Sequence, residues 1–172
     1  IIKLEAAITT QTADKQAFIA GWTSKINAEI TAKNEELTQL KQEKIKQEWE
    51  LLPNKFIILM PGRLTYWKGQ EKFIESLNIL VEDYNNFNFQ AVVLGSDQGR
   101  KVYKKKLINL VQRYRLGQKI KFIDHCKEMP LAYSLADVVV SASTEPEAFG
   151  RVSVEAQAME KPIIASDLGG SK

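Results

Sequence analysis

The chain has 172 residues, of which 44% are hydrophobic and 26% charged, and a formal net charge of +3. That balance fits one ordinary globular domain plus an appendage and excludes a disordered polymer. So small a charge, mixed in sign along the chain, gives no argument for nucleic acid or an anionic membrane as a partner, and no nucleic acid is expected; a single cysteine, Cys126, excludes an intramolecular disulfide and a multi-cysteine metal site.

The first 50 residues contain one glycine, Gly21, and space Ile26, Ile30, Leu37 and Leu40 by three, four and seven, which predicts helix over residues 1–50. The apolar stripe is thin and lacks sustained heptads. It leaves open a helix that docks on a partner, one that links, and a poorly packed extension. Ile1 to Thr10 shows neither the basic n-region nor the cleavage site of a signal peptide, and no apolar run approaches the ~20 residues that span a bilayer. The expected compartment is cytoplasmic, with peripheral contact at the inner face of the membrane left open. Because the chain begins at Ile1 without a methionine and ends on Gly169-Gly170-Ser171-Lys172 without a closing element, it is expected to be a piece of a longer protein.

After Pro53 the pattern changes to short apolar runs alternating with amphipathic stretches, the form of a parallel sheet covered on both faces. The runs predict strands at Phe56 to Met60, Phe89 to Leu94, Ile120 to Ile123, Val138 to Ser141 and Ile163 to Ala165. Between them, helices are predicted at Gln70 to Tyr84, Arg100 to Arg115, after Pro130, and Arg151 to Met159, as right-handed crossovers. Pro130 suits a first helical turn, where a missing N–H costs nothing. The fold class is α/β over residues 51–172, with the helical segment before it.

Ligands of an open α/β sheet bind at the carboxyl ends of its strands. The predicted first strand is followed by Pro61-Gly62-Arg63 and then Lys68-Gly69, the second by Gly95-Ser96-Asp97, the fourth by Ser143 to Gly150, and the fifth by Gly169-Gly170. Four of five strand ends are thus expected to converge on one crevice. An arginine and a lysine between glycines, near helix N-termini, make a candidate diphosphate site. Glu147 and Glu155, eight apart across a glycine loop, can face one pocket and accept hydrogen bonds from sugar hydroxyls. A pair of loop cations and two surface glutamates are the plainer readings of the same residues. His125 is weighed as a base or ribose contact against an ordinary surface or packed histidine, and Cys126 as an ordinary thiol. The basic stretch Arg100 to Lys106 reads as a solvated helix face. Neither a G-x-G-x-x-G turn nor a G-x-x-x-x-G-K-[ST] loop occurs.

Two segments make a specific resemblance: Gly62-Arg63-Leu64-Thr65-Tyr66-Trp67-Lys68-Gly69, and the run Glu147 to Met159 with its E-x7-E spacing of Glu147 and Glu155. Together with Val92-Val93-Leu94-Gly95, Ile120-Lys121-Phe122-Ile123, the run Met129 to Asp137, and Ile163 to Ser166 before Gly169-Gly170, they resemble, in order, the group 1 (family 4) glycosyltransferases. The likeness covers residues 45 to 172. It implies the carboxyl-terminal, Rossmann-like half of a GT-B fold, which binds a nucleotide diphosphate sugar and needs neither metal nor cofactor.

By that resemblance Arg63 and Lys68 would hold the donor diphosphate as it leaves, Glu155 would bind the ribose, and Glu147 would sit by the transferred sugar. Gly62 would let the backbone approach the phosphates, Phe149 and Gly150 would offer backbone N–H groups, and Arg151 and Val152 would complete the donor site. The implied reaction transfers a hexose, with retention, to a glycan or lipid-linked acceptor of cell-envelope polysaccharide synthesis. The family's amino-terminal, acceptor-binding domain is not present in these 172 residues. The chain is therefore expected to bind donor better than it transfers sugar. The rival readings are a non-catalytic scaffold or nucleotide-binding module and a decayed remnant that folds poorly.

Overall fold

The computed structural model describes the backbone of residues 2–84 and 86–170 and the side chains of residues 11–84 and 86–170. Two compact units divide after Glu43, earlier than the expected boundary at residue 50. Helix α1 (Ile2–Glu48) supplies the described residues of the first unit. There Phe18, Trp22, Ile26, Ile30, Leu37 and Leu40 are all about half exposed or more, so the predicted apolar stripe exists as a stripe facing solvent. No described helix is long and apolar enough to cross a membrane.

The second unit begins with the end of α1. Ile45, Trp49 and Leu51 pack into its core, which is why the division falls before them. Strands β1 (Phe56–Pro61), β2 (Phe89–Leu94), β3 (Ile120–Ile123), β4 (Val138–Ser141) and β5 (Ile163–Ala165) form one sheet in the order β3-β2-β1-β4-β5, parallel throughout. The five predicted strands are all present, β1 running one residue further, to Pro61. Helices α2 (Gln70–Asp83), α3 (Lys101–Arg113), α4 (Met129–Leu135) and α5 (Arg151–Ala158) match their predicted spans to within about two residues at each end. Pro130 stands in the first turn of α4, as read.

Neighbouring residues of a strand point to opposite faces, so each apolar run divides between two cores. Ile58, Met60, Ala91, Val93 and Val140 meet Phe73, Ile74 and Leu77 of α2 and Leu107 and Val111 of α3. Leu59, Val92, Leu94 and Val139 meet Ala132, Tyr133 and Leu135 of α4, Ala156 of α5 and Trp49. Helices therefore cover both faces, which is the reason the strands read as continuous apolar runs rather than alternating ones.

From β1 the chain steps outward through β2 and β3, and then returns to the other side of β1 for β4 and β5. The reversal lies between β1 and β4, and the loops leaving these two strands part there to open a crevice. Asp137 fastens this junction: its carboxylate accepts the Ile57 N–H at 2.7 Å, and its own N–H donates to the Ile57 carbonyl at 2.9 Å.

Candidate active site

The loop after β1 is held by its neighbours before any ligand is considered. Gly62 N–H donates to the Leu94 carbonyl at 2.8 Å and Leu64 N–H to the Ser96 carbonyl at 3.0 Å, tying it to the loop after β2. Leu64 and Thr65 are buried. Gln70, wholly buried at the start of α2, donates its amide to the Arg63 carbonyl at 2.9 Å and accepts the Tyr103 hydroxyl at 3.3 Å. The backbone of Arg63 is thus fixed while the residue itself is exposed. Its guanidinium has no ion-pair or hydrogen-bond partner among the described residues, so the charge is unspent.

A 3-10 turn, Tyr66–Lys68, then brings Lys68 back over the crevice. Its ammonium lies 2.7 Å from a Glu147 carboxylate oxygen and 4.6 Å from the centre of the Trp67 ring. The other carboxylate oxygen of Glu147 accepts the Ser143 hydroxyl. With side-chain exposures of only 14% and 10%, Lys68 and Glu147 make a largely sequestered pair, held additionally by Thr144 N–H donating to the Trp67 carbonyl at 2.8 Å. Such a pair is costly to break from one side, because the remaining charge is left without a partner.

Burial alone would raise the Glu147 carboxyl, but the Lys68 and Ser143 hydrogen bonds and the Lys68 and Arg151 charges outweigh it and hold the group below its ordinary 4.5. A carboxyl depressed in the folded state binds fewer protons there than in the unfolded chain. Stability from this group is therefore complete above about pH 4.5 and is lost as pH falls through the lower folded value. Acid unfolding of Glu147→Gln, followed by circular dichroism from neutral pH downward, is expected to show a shallower loss of stability below pH 4.5 than the wild type. A slope equal to wild type would place the proton uptake elsewhere.

Behind Glu147 the chain after β5 supplies support rather than a wall of the crevice. Gly170 N–H donates to the Glu147 carbonyl at 2.7 Å, and Glu147 and Gly169 form a parallel bridge. Gly150, with φ of 67°, turns the chain into α5, whose first residue is Arg151. Glu155 lies in the second turn of α5 and accepts the Tyr133 hydroxyl at 2.7 Å.

These groups share one crevice of about 710 Å³. Gly62, Arg63 and Lys68 line it from the β1 side, and Glu147, Phe149, Gly150, Arg151, Val152 and Glu155 from the β4 side, so every predicted site residue is brought to it. Gly95 and Ser96 line it as well, as the strand-end rule requires. The fifth strand end was expected as the remaining contributor; instead Asp124, His125 and Cys126, after β3, take that place. His125 is exposed there, and Cys126 is half-buried with its thiol donating to the Glu128 carbonyl at 3.4 Å. Tyr133 was not singled out from the sequence. Within it lay only a tyrosine on an apolar helix, and the contact that distinguishes it spans 22 residues. Three cations (Arg63, Lys68 and Arg151), three carboxylates (Asp124, Glu147 and Glu155) and backbone N–H groups around a cleft of this size suit a ligand with both anionic and hydroxylated parts.

Comparison with known proteins gives the same direction. The family model of group 1 glycosyl transferases matches residues 41–172. The capsular polysaccharide biosynthesis glycosyltransferase CapM of Staphylococcus aureus is 30% identical over 135 residues, which cover 77% of this chain and 34% of CapM. Among solved structures, a glycosyltransferase from Rickettsia africae superposes with a TM-score of 0.71 at 34% identity, over 76% of this chain and 33% of that one. Anabaena HepE, solved with UDP and glucose, superposes with a TM-score of 0.68 at 31% identity, over 76% of this chain and 34% of HepE. The chain thus spans about a third of the length of each of these three relatives. With a family model covering most of its residues and a parallel sheet shared with GT-B enzymes, the chain belongs to the group 1 glycosyltransferases.

Proposed function

We propose that this chain forms the donor side of a hexosyltransferase that moves a hexose from a nucleoside diphosphate sugar to a glycan or lipid-linked acceptor, with retention at the anomeric carbon. The observation that carries the reading is the meeting of Arg63 and Lys68, from the loop after β1, with Glu147 and Glu155, from the chain after β4, around one crevice. In the reaction the bond from the anomeric carbon to the diphosphate oxygen breaks with its electron pair going to the diphosphate, while the acceptor hydroxyl oxygen bonds that carbon on the same face and gives up its proton to the departing diphosphate. Two preplaced cations stabilise that developing charge without a metal, and electrostatic stabilisation of this kind is commonly the largest catalytic contribution. Glu155 takes the ribose hydroxyls and Glu147 lies by the sugar. UDP is the first nucleotide to try, because HepE was solved with it. CapM's part in capsular polysaccharide biosynthesis supports an envelope glycan as acceptor, and the reaction is proposed to take place in the cytoplasm, at or near the inner face of the membrane.

Thermal unfolding of the chain with UDP, GDP and ADP tests this. A nucleotide at about 100 times its dissociation constant stabilises the fold by about 2.7 kcal/mol. UDP is expected to raise the transition, and Arg63→Ala, which removes an exposed charge at no cost to the core, is expected to weaken UDP about tenfold. A cooperative transition that none of the nucleotides moves would overturn the donor reading and favour a scaffold.

A further inference from the structure

Tyr133 stands out among the groups the proposed reaction does not use. It is 1% exposed, belongs to the buried cluster that includes Leu59, Val92, Ala132 and Ala156, and lines the crevice. A phenol so enclosed has one geometry, and in it the hydroxyl donates to Glu155 Oε2 at 2.7 Å. Among the described residues it is the one hydrogen-bond donor to that carboxylate. Glu155 is only half-buried on α5, and an unrestrained glutamate there would sample several rotamers.

From this we propose that Tyr133 is a positioning residue: by occupying Glu155 Oε2 from the core, it pins the carboxylate and leaves Oε1 to accept the ribose hydroxyls of the donor. The proposal rests on the reading of Glu155 as the ribose acceptor. Burial, and then the hydrogen bond to Glu155, push the phenol upward from its ordinary value. The hydroxyl therefore remains protonated and donating throughout the pH range in which a nucleotide would bind. Fixing the carboxylate before the ligand arrives removes an ordering cost that binding would otherwise carry. It also gives the two ends of the donor different supports. The diphosphate meets charges from the β1 loop, whereas the ribose meets a carboxylate whose aim is set by α4, a helix with no charge in its own span.

Tyr133→Phe removes one oxygen and leaves the ring that fills the core. The full chain is titrated calorimetrically with UDP and with 2′,3′-dideoxy-UDP, as wild type, Tyr133→Phe, Glu155→Gln and the double variant. Wild type is expected to prefer UDP by about tenfold or more, the size of one or two hydrogen bonds to a charged group. Glu155→Gln should remove most of that preference. Tyr133→Phe should cut it to about threefold while leaving the dideoxy affinity and the unfolding temperature near wild type, and it should add nothing in the Glu155→Gln background. If Tyr133→Phe keeps the full ribose preference, or weakens both nucleotides alike, the hydroxyl merely ties α4 to α5 and the proposal fails. If wild type shows no ribose preference, or Glu155→Gln retains it, the reading of Glu155 is wrong and the role of Tyr133 falls with it.

Discussion

Lys68→Ala is expected to weaken UDP binding about a hundredfold, a larger loss than from any other side chain of the crevice. Two effects add. The diphosphate loses a charge-assisted hydrogen bond, worth about 1.5–3 kcal/mol. The variant also leaves Glu147, only 10% exposed, without its cation at 2.7 Å, so a carboxylate now faces the incoming anion with Ser143 as its remaining hydrogen-bond donor. A combined loss of about 3 kcal/mol corresponds to roughly a hundredfold in dissociation constant. Arg63, which is exposed and unpaired among the described residues, carries the first of these effects and not the second.

The second effect can be separated from the first. Glu147→Gln alone frees Lys68 from its neutralising partner and should leave UDP affinity equal to wild type or better. In the double variant Lys68→Ala with Glu147→Gln, the repulsion is gone, and affinity should recover about tenfold from the single lysine variant. Such non-additivity is the signature of two groups acting as a pair. Calorimetric titration with UDP reads all four states. A change of less than threefold in Lys68→Ala would show that the ammonium stays with the protein and never reaches the diphosphate.

How far these partnerships were legible depended on their range. The two-faced sheet followed from short apolar runs such as Phe89 to Leu94, because burial on both sides leaves no alternation to hide them. Arg63, Lys68, Glu147 and Glu155 could be named because the strand-end rule and an ordered set of motifs both pointed to them. What could not be read was which of them touch. Nothing local in the sequence says that Lys68 is already neutralised by Glu147, that Tyr133 lies under Glu155, or that Asp137 spends its carboxylate on the Ile57 N–H. Each contact depends on how far one element is rotated and shifted against another. That is set by the sum of core packing, not by periodicity in either element. The β3 end shows the same limit. His125 was placed after the right strand, yet its presence in the crevice depended on how the loop turns.

Gly69→Ala is expected to cost about 4 kcal/mol or more, enough to threaten a domain whose total stability is of order 5–15 kcal/mol. Gly69 has φ of +76°, and a Cβ built on it would lie 1.7 Å from the Ala142 carbonyl oxygen and 2.7 Å from its carbon. The obstacle is backbone just beyond β4, so no side chain can swing aside. Relief would push the β4 loop from the β1 loop and break the Thr144 to Trp67 hydrogen bond, and with it the approach of Lys68 to Glu147. Two other glycines separate the contributions. Gly99 has φ of +83° but nothing within 4 Å of a Cβ, so Gly99→Ala should show backbone strain alone, about 1 kcal/mol. Gly117 has neither a positive φ nor a neighbour within 4 Å, and alanine there should be neutral or stabilising by up to about 1 kcal/mol through the unfolded chain. Urea midpoints at constant slope give the three values directly. The excess of Gly69→Ala over Gly99→Ala then measures the cost of parting the two loops. If the two variants lose equal stability, the loops yield freely and cannot be what holds Lys68 against Glu147.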